Sequence, residues 1–298
     1  DAVLEKQTVE GVDAVSGATL TSRGMLTAIG MAIDASKGVL QGEITYSDTS
    51  CDIVVIGAGG AGLSAATQAA SMGAHVIVLE KQGIIGGNTN YSTGGLNAAE
   101  TSVQEKLGIV DSKKSHYDDT MAGGHFLNDP SLVETLVNKA ATAVDWLISL
   151  GADLSNVGQL AGSSQKRTHR PNGGAAIGPH LMAVLSRAVE SEKISIRTRN
   201  TVTALTEQNG KVTGVKVNTP KGPYTIKAKA VIIATGGFGA NLSMVAEYRP
   251  ELKDFNTSNH SGATGDAFEW VKSFDVPLVH MDQIQTHPTG EVGSQLLI

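Results

Sequence analysis

The chain has 298 residues, of which 41% are hydrophobic and 17% charged, with a net charge of −6. This is a globular composition, long enough for one large domain or two, without the bias of a disordered chain. The acidic balance, with a pI near 5.7 and no basic run, speaks against nucleic acid and anionic membrane as partners. Its single cysteine, Cys51, excludes an intrachain disulfide, a CxxCH haem attachment and any cysteine-based zinc or iron–sulfur site. The histidines show no ligand spacing, so no metal is expected, and no apolar run approaches the roughly 20 residues that span a bilayer.

The chain opens at DAVLEKQTVE with neither an initiator Met nor a signal peptide, which reads as a chain cut at the front, with any targeting segment lost. Residues 13–22, DAVSGATLTS, form a small, hydroxyl-rich turn before a helix predicted over 22–36 with Ser22 as N-cap. The stretch 38–50 reads as a linker. CDIVVIGAGGAGLSAATQAASMGAHVIVLE then predicts a buried strand (52–56), a glycine turn, a helix (about 60–72) and a second strand (75–80). After a glycine-rich loop, Asp129 and Pro130 look like the cap and first residue of a helix reaching about 150, and another helix is expected near 180–191. Strands follow at 194–198 and 201–206, with a turn at Asn209-Gly210 and further strands near 212–218 and 223–228. The apolar run AVIIATGG (230–237) reads as a separate buried parallel strand.

GAGGAG places Gly57, Gly59 and Gly62 at GxGxxG spacing between a strand and a helix, with Glu80 closing the next strand. Each part has a mechanical role in dinucleotide binding. Gly57 permits the tight turn, Gly59 lets backbone amides approach a pyrophosphate, and Gly62 lets helix and strand pack closely. The helix N-terminus stabilises phosphate charge, and Glu80 can bind ribose hydroxyls. The continuation points to FAD rather than NAD. Lys81, Gly86-Gly87-Asn88 and then Ser92, Gly94 and Gly95 make a second small-residue loop, along which backbone can pass flat against a large planar ring. Ala234-Thr235-Gly236-Gly237 and Thr264-Gly265-Asp266 add two further glycine turns suited to FAD.

From residue 51 onward the chain resembles the flavin domain of the soluble fumarate reductase family, which includes flavocytochrome fumarate reductases and urocanate reductase. The resemblance lies in GAGGAG, EKQGIIGGN, GADLSNVG (151–158), HRPNGGAAIG (169–178), ATGGFG (234–239), GATGD (262–266) and QTHPTG (285–290). It implies an α/β, Rossmann-like FAD-binding domain of the glutathione-reductase type with an inserted β-meander, spanning 46–282. It also implies a substrate-clamping domain beginning at 283–298. The family pattern continues beyond Ile298, so an incomplete enzyme without its clamp and proton-donating arginine is expected. The cofactor contacts implied by motif and resemblance together are Gly57, Gly59, Gly60, Ala61, Gly62, Glu80, Lys81, Gly86, Gly87, Asn88, Thr89, Ser92, Thr93, Gly94, Gly95, Val202, Ala234, Thr235, Gly236, Thr264, Gly265 and Asp266.

His287 matches the family histidine that binds a substrate carboxylate. Urocanate reductase has Tyr in its place, so His287 leans toward a dicarboxylate. Gln285 and Thr289 either orient His287 or the substrate, or pack. Arg167, His169 and Arg170 form a cationic cluster that either draws in an anion or anchors a buried loop. At the front, DAVSGAT resembles the Dxx(S/T)GAT signature of the FMN-binding module, in which a flavin transferase joins FMN to the final threonine, here Thr19, with Asp13 setting the loop. Residues 1–45 are then the helical C-terminal tail of that module plus the linker. Covalent FMN would replace the haems that a one-cysteine chain cannot attach.

The resemblance implies hydride transfer from reduced FAD to the C=C bond of a small unsaturated dicarboxylate, fumarate to succinate, with electrons arriving from an upstream donor through FMN. Other unsaturated acids (urocanate, acrylate type), a ketosteroid dehydrogenase activity, and a non-catalytic flavin-binding electron-transfer role remain as alternatives. The expected location is the bacterial cell envelope, with the cytoplasm as alternative.

Overall fold

The computed structural model describes residues 44–287. Asp13, Thr19, Ser22, the helix expected over 22–36, Thr289 and most of the segment 283–298 lie outside the described residues.

A six-stranded sheet forms the centre. The first βαβ unit comprises β1 (Thr49–Ile56), helix α1 (Gly60–Ser71) and β2 (Val76–Leu79). β2 reads VIVL and is buried at every position, as a parallel strand covered on both faces must be. β1 lies parallel to β2 on one side and to β9 (Tyr224–Ile233) on the other. β6 (Ser195–Arg197) extends the parallel sheet beyond β2, while β8 (Lys211–Asn218) and β7 (Thr201–Gln208) continue it antiparallel beyond β9. The full order is β6-β2-β1-β9-β8-β7.

Period-two alternation divides the core between the two faces. Val55, Val76 and Val78 pack on one side with Leu63 and Ala66 of α1 and with the helices that cover it. Val54, Ile56, Ile77 and Leu79 pack on the other with Val202, Val215, Val217 and Ile226 of the meander.

The meander corrects the expectation of two strands at 223–228 and 230–237. They are one strand, β9, which ends at Ile233. Its first half pairs antiparallel with β8, and Ile226–Ile233 runs parallel to β1. The change of partner alters the burial pattern part-way along, which reads in sequence as two elements. Asn209 (φ 54°) and Gly210 (φ 75°) both occupy the left-handed region, as a tight hairpin with the sheet's twist requires.

A second layer holds α2 (Ser102–Lys106), α3 (Lys113–Gly123), α4 (Pro130–Ser149) and α5 (Ile177–Ser191). Asp129 caps α4 by accepting the amides of Ser131 and Leu132, with Pro130 at the first turn. α5 begins at Ile177 rather than near 180. A small antiparallel sheet joins β3 (Leu96–Asn97), β5 (Thr168–Arg170) and β4 (Asn156–Gly158) in the order β3-β5-β4. α6 (Leu242–Tyr248) follows, and α7 (Asp266–Lys272) lines one side of the cleft described below. No helix among the described residues is long and apolar enough to cross a membrane.

Candidate functional site

A cleft of about 490 Å³ opens beyond the C-terminal ends of β1, β2 and β9. Parallel α/β sheets place their ligands at this edge. The turn after β1 forms its floor. Gly57 adopts φ +104° and passes so close to β9 that a Cβ there would lie 2.4 Å from the Ala234 carbonyl oxygen. Gly62 is equally constrained, since a Cβ would come within 1.9 Å of Gly57 O. Both glycines do what their spacing predicted.

The N-terminus of α1 carries the polarity of the site. Gly59, at its N-cap, offers no side chain, and no acidic residue sits in the first turn. Thr89 Oγ1 accepts the Gly60 amide at 3.0 Å, and Leu63 donates back to Gly59 O. The amides of Ala61 and Gly62 have no partner among the described residues. Two orphaned amides at the positive end of a helix, beside a glycine-walled cleft, fit an anionic phosphate group. A Cβ at Gly59 would meet protein no closer than 3.5 Å, so the fold leaves that approach clear.

At the end of β2, Glu80 is 9% exposed, and its carboxylate accepts the amides of Ala58 (3.0 Å) and Gln82 (2.8 Å). This ties the glycine turn to the second strand while leaving carboxylate lone pairs for hydroxyl groups. Lys81 reaches across to the 264–266 turn, where its Nζ bonds Thr264 Oγ1 and, at 2.8 Å, Asp266 Oδ2. Thr264 donates in turn to Asp266 Oδ1 at 2.6 Å. Burial pushes the Asp266 carboxyl up, but hydrogen bonds from Lys81 and Thr264 outweigh it and hold the group below the ordinary carboxylate range. Asn88 clips a third segment in place. Its Nδ2 donates to Asn259 Oδ1 at 2.7 Å and its Oδ1 accepts the His260 amide at 2.6 Å.

Most residues expected to hold the dinucleotide line this cleft: Gly57, Gly59, Gly60 and Ala61 on the floor, and Glu80 and Lys81 beside them. Gly86, Gly87, Asn88 and Thr89 form one wall, with Val202, Ala234, Thr235, Gly236, Gly265 and Asp266 opposite. Gly62 and Thr264 lie behind the lining, supporting it. Ser92, Thr93, Gly94 and Gly95 are also absent from the lining; Gly95 packs on β5, where a Cβ would lie 2.5 Å from Thr168 Cγ2. His287 is exposed and outside the cleft lining, and Gln285 precedes it on the same irregular segment.

The cationic cluster resolves toward anchoring. Arg167 is 1% exposed and bonds Asp111 through Nε and Nη2, each at 3.0 Å, with Asp119 2.9 Å from Nη1. His169 is fully buried between Thr101 Oγ1 and the carbonyls of Leu96 and Arg167. Arg170 is half-buried and, among the described residues, its side chain bonds only the Gly174 carbonyl, at 3.5 Å.

Sequence reasoning missed Asn200 and His260, which also line the cleft, and the apolar wall of Phe268, Trp270, Val271, Val276 and Leu278. Asn200 precedes the expected Val202 and is 2% exposed; its Oδ1 accepts Tyr224 Oη at 2.6 Å. His260 lies just before GATGD, and that proximity was the available signal.

Comparison with known proteins agrees with this geometry. Residues 52–298 match the FAD binding domain model and residues 1–34 the FMN-binding domain model. The chain is 40% identical to the NADH:fumarate oxidoreductase of Klebsiella pneumoniae, over 96% of this chain and 32% of that protein. It is 43% identical to the fumarate reductase (cytochrome) of Shewanella frigidimarina, over 83% of this chain and 44% of that protein. The open conformation of a flavocytochrome c3 fumarate reductase superposes with a TM-score of 0.81 at 36% identity, covering 89% of this chain and 46% of that one. The chain thus spans a third to under half of the length of these relatives. With its glycine turn, orphaned helix amides and a matching model over residues 52–298, the chain belongs to the FAD-binding domain family, its residues 1–34 match the FMN-binding domain, and FAD and FMN are the respective cofactors.

Proposed function

We propose that the intact protein is a flavin-dependent reductase acting on the C=C bond of a small unsaturated carboxylate, with fumarate to succinate as the reaction. The orphaned amide of Ala61, at the glycine-walled cleft along the sheet's C-terminal edge, with the orphaned amide of Gly62 next to it in the same helix turn, carries this reading. Those amides hold the phosphate oxygens of FAD, Glu80 takes ribose hydroxyls, and Gly57, Gly59 and Gly60 keep the approach open. Lys81, Asp266, Asn88 and Thr89 fix the walls, and Val202, Ala234, Thr235, Gly236, Gly265, Gly86 and Gly87 shape them. Gly62 and Thr264 brace that lining, and Ser92, Thr93, Gly94 and Gly95, which follow its wall in the chain, would add contacts to the bound FAD. Bound FAD supplies the hydride acceptor and donor chemistry. His287 anchors one substrate carboxylate, and the names of the relatives, a NADH:fumarate oxidoreductase and a fumarate reductase, support a dicarboxylate as the substrate. Covalent FMN on Thr19, installed by a flavin transferase, relays electrons from an upstream donor, and the bacterial cell envelope is the proposed location.

The test uses the full-length protein with a reduced artificial donor and a panel of fumarate, urocanate and acrylate. Fumarate is expected to turn over fastest, and His287→Ala to depress that rate while leaving the FAD spectrum intact. Preference for another acid displaces fumarate as substrate, and an unaffected rate removes His287 from the site.

A further inference from the structure

We propose that His260 is a further cofactor-binding residue, donating its Nε2–H to an oxygen of the bound dinucleotide. This rests on the FAD reading of the cleft. His260 is 9% exposed and its ring lines the cleft, tilted against Tyr91 with centroids 5.7 Å apart. Two bonds fix its place. Its backbone amide donates to Asn88 Oδ1 at 2.6 Å, and its Nδ1 accepts the Gly262 amide at 3.0 Å.

The second bond determines the tautomer. A backbone N–H can only donate, so Nδ1 is the acceptor and the neutral ring carries its proton on Nε2. Nε2 has no protein partner among the described residues, and it is not one of their sealed, orphaned atoms. The neighbouring side-chain donors are differently placed. Lys81 is engaged by Thr264 and Asp266, Asn88 Nδ2 by Asn259, and Asn200 Nδ2 by the Thr198 carbonyl. A buried residue whose backbone is tied to Asn88 and whose ring is held by the Gly262 amide and Tyr91, with one donor uncommitted beside the cleft, is built to meet an acceptor that the described residues do not supply. The phosphate and hydroxyl oxygens of a dinucleotide are such acceptors.

Two substitutions in the full-length protein separate this role from turn formation. In His260→Asn the side-chain oxygen can still accept the Gly262 amide, but nothing reaches as far as Nε2. In His260→Gln the amide nitrogen reaches about as far as Nε2. Flavin-stripped proteins are titrated with FAD and binding is followed by fluorescence quenching, with the melting temperature of each apo form measured alongside. His260→Asn is expected to melt like wild type and to bind FAD about tenfold more weakly, and His260→Gln to recover most of that loss. Wild-type affinity in His260→Asn overturns the proposal, as does an equal loss in both variants. A separate control, Gly59→Val, tests the cleft: if that protein remains fully yellow, the FAD reading fails rather than the role of His260.

Discussion

Gly62 faces the carbonyl oxygen of Gly57 so closely that a methyl group on Gly62 would sit 1.9 Å from it, whereas one on Gly59 would clear Gly86 O by 3.5 Å. The glycines of one motif therefore serve different ends. Gly57 and Gly62 are required by the fold, while Gly59, with extended backbone at φ −83° and ψ −173°, can carry a side chain without strain. Gly62→Ala should cost about 1–3 kcal/mol of stability through overpacking against backbone. Gly59→Val should fold with near-wild-type stability and purify colourless, because its side chain occupies the path to the helix amides. Denaturant titration and the absorbance of the purified proteins check both, and a stable Gly62→Ala variant would refute the packing argument.

Arg167 supports a different prediction. Its guanidinium neutralises Asp111, whose side chain is 0% exposed, and also bonds Ser115 Oγ at 2.9 Å. Removing one partner leaves a buried carboxylate uncompensated, at a cost of about 3–5 kcal/mol. Arg167→Met should therefore lower the midpoint of unfolding strongly, and any enzyme that remains folded should keep its KM for the unsaturated acid. A raised KM without lost stability would restore the anion-steering role.

Two buried histidines give the protein a pH dependence. Burial pushes both His116 and His169 below the ordinary histidine range; Arg167 adds to the effect on His116, and backbone carbonyls partly offset it on His169. A ring kept neutral by the fold protonates more readily once unfolded. Stability therefore begins to fall as pH drops through the unfolded value of about 6.5 and continues to fall until the depressed folded values are reached. Unfolding midpoints should be lower at pH 5.5 than at pH 7.5. His116 Nδ1 has no hydrogen-bond partner among the described residues, so His116→Leu should flatten that slope without losing a bond there. An unchanged slope would assign the effect to His169 and to His180, which burial also pushes below the ordinary histidine range.

What the sequence made legible follows the strength of local signals. The βαβ unit was readable because glycine spacing, a buried strand and a closing acid coincide within about thirty residues, as the motif requires. α3 was not, since KKSHYDDTMAG buries only His116 and Met121 and presents no apolar stripe. α2, a single short turn at Ser102–Lys106, was not read either: it is too short for periodicity, and its Thr101–Gln104 capping box was the only local signal. At the site, most residues inside a glycine motif were found, while His260, two residues before GATGD, and Asn200, brought in by tertiary folding, were not. Asn200 reaches the cleft because its amide bonds the Glu80 carbonyl at 2.9 Å, a pairing between β-strand ends that no local pattern encodes.

The last prediction concerns Thr19, in the segment that matches the FMN-binding domain model. On the proposed reading, FAD in the cleft would be held by backbone amides and side-chain contacts alone, none of which would survive denaturation. A phosphodiester from FMN to the Thr19 hydroxyl does survive, so the two flavins are separable by unfolding the protein. Full-length protein co-produced with a flavin transferase should give a fluorescent band on a denaturing gel, while its FAD is released to the supernatant on acid precipitation. Thr19→Ala should abolish the band and leave the released FAD unchanged. The same variant should lose turnover with the physiological donor but keep it with a small donor that reduces FAD directly, because only the relay has been removed. A band that persists in Thr19→Ala moves the attachment to another residue. Its absence from the wild type, with the transferase shown to be active on a second substrate, reduces DAVSGATLTS to the entry of a helix.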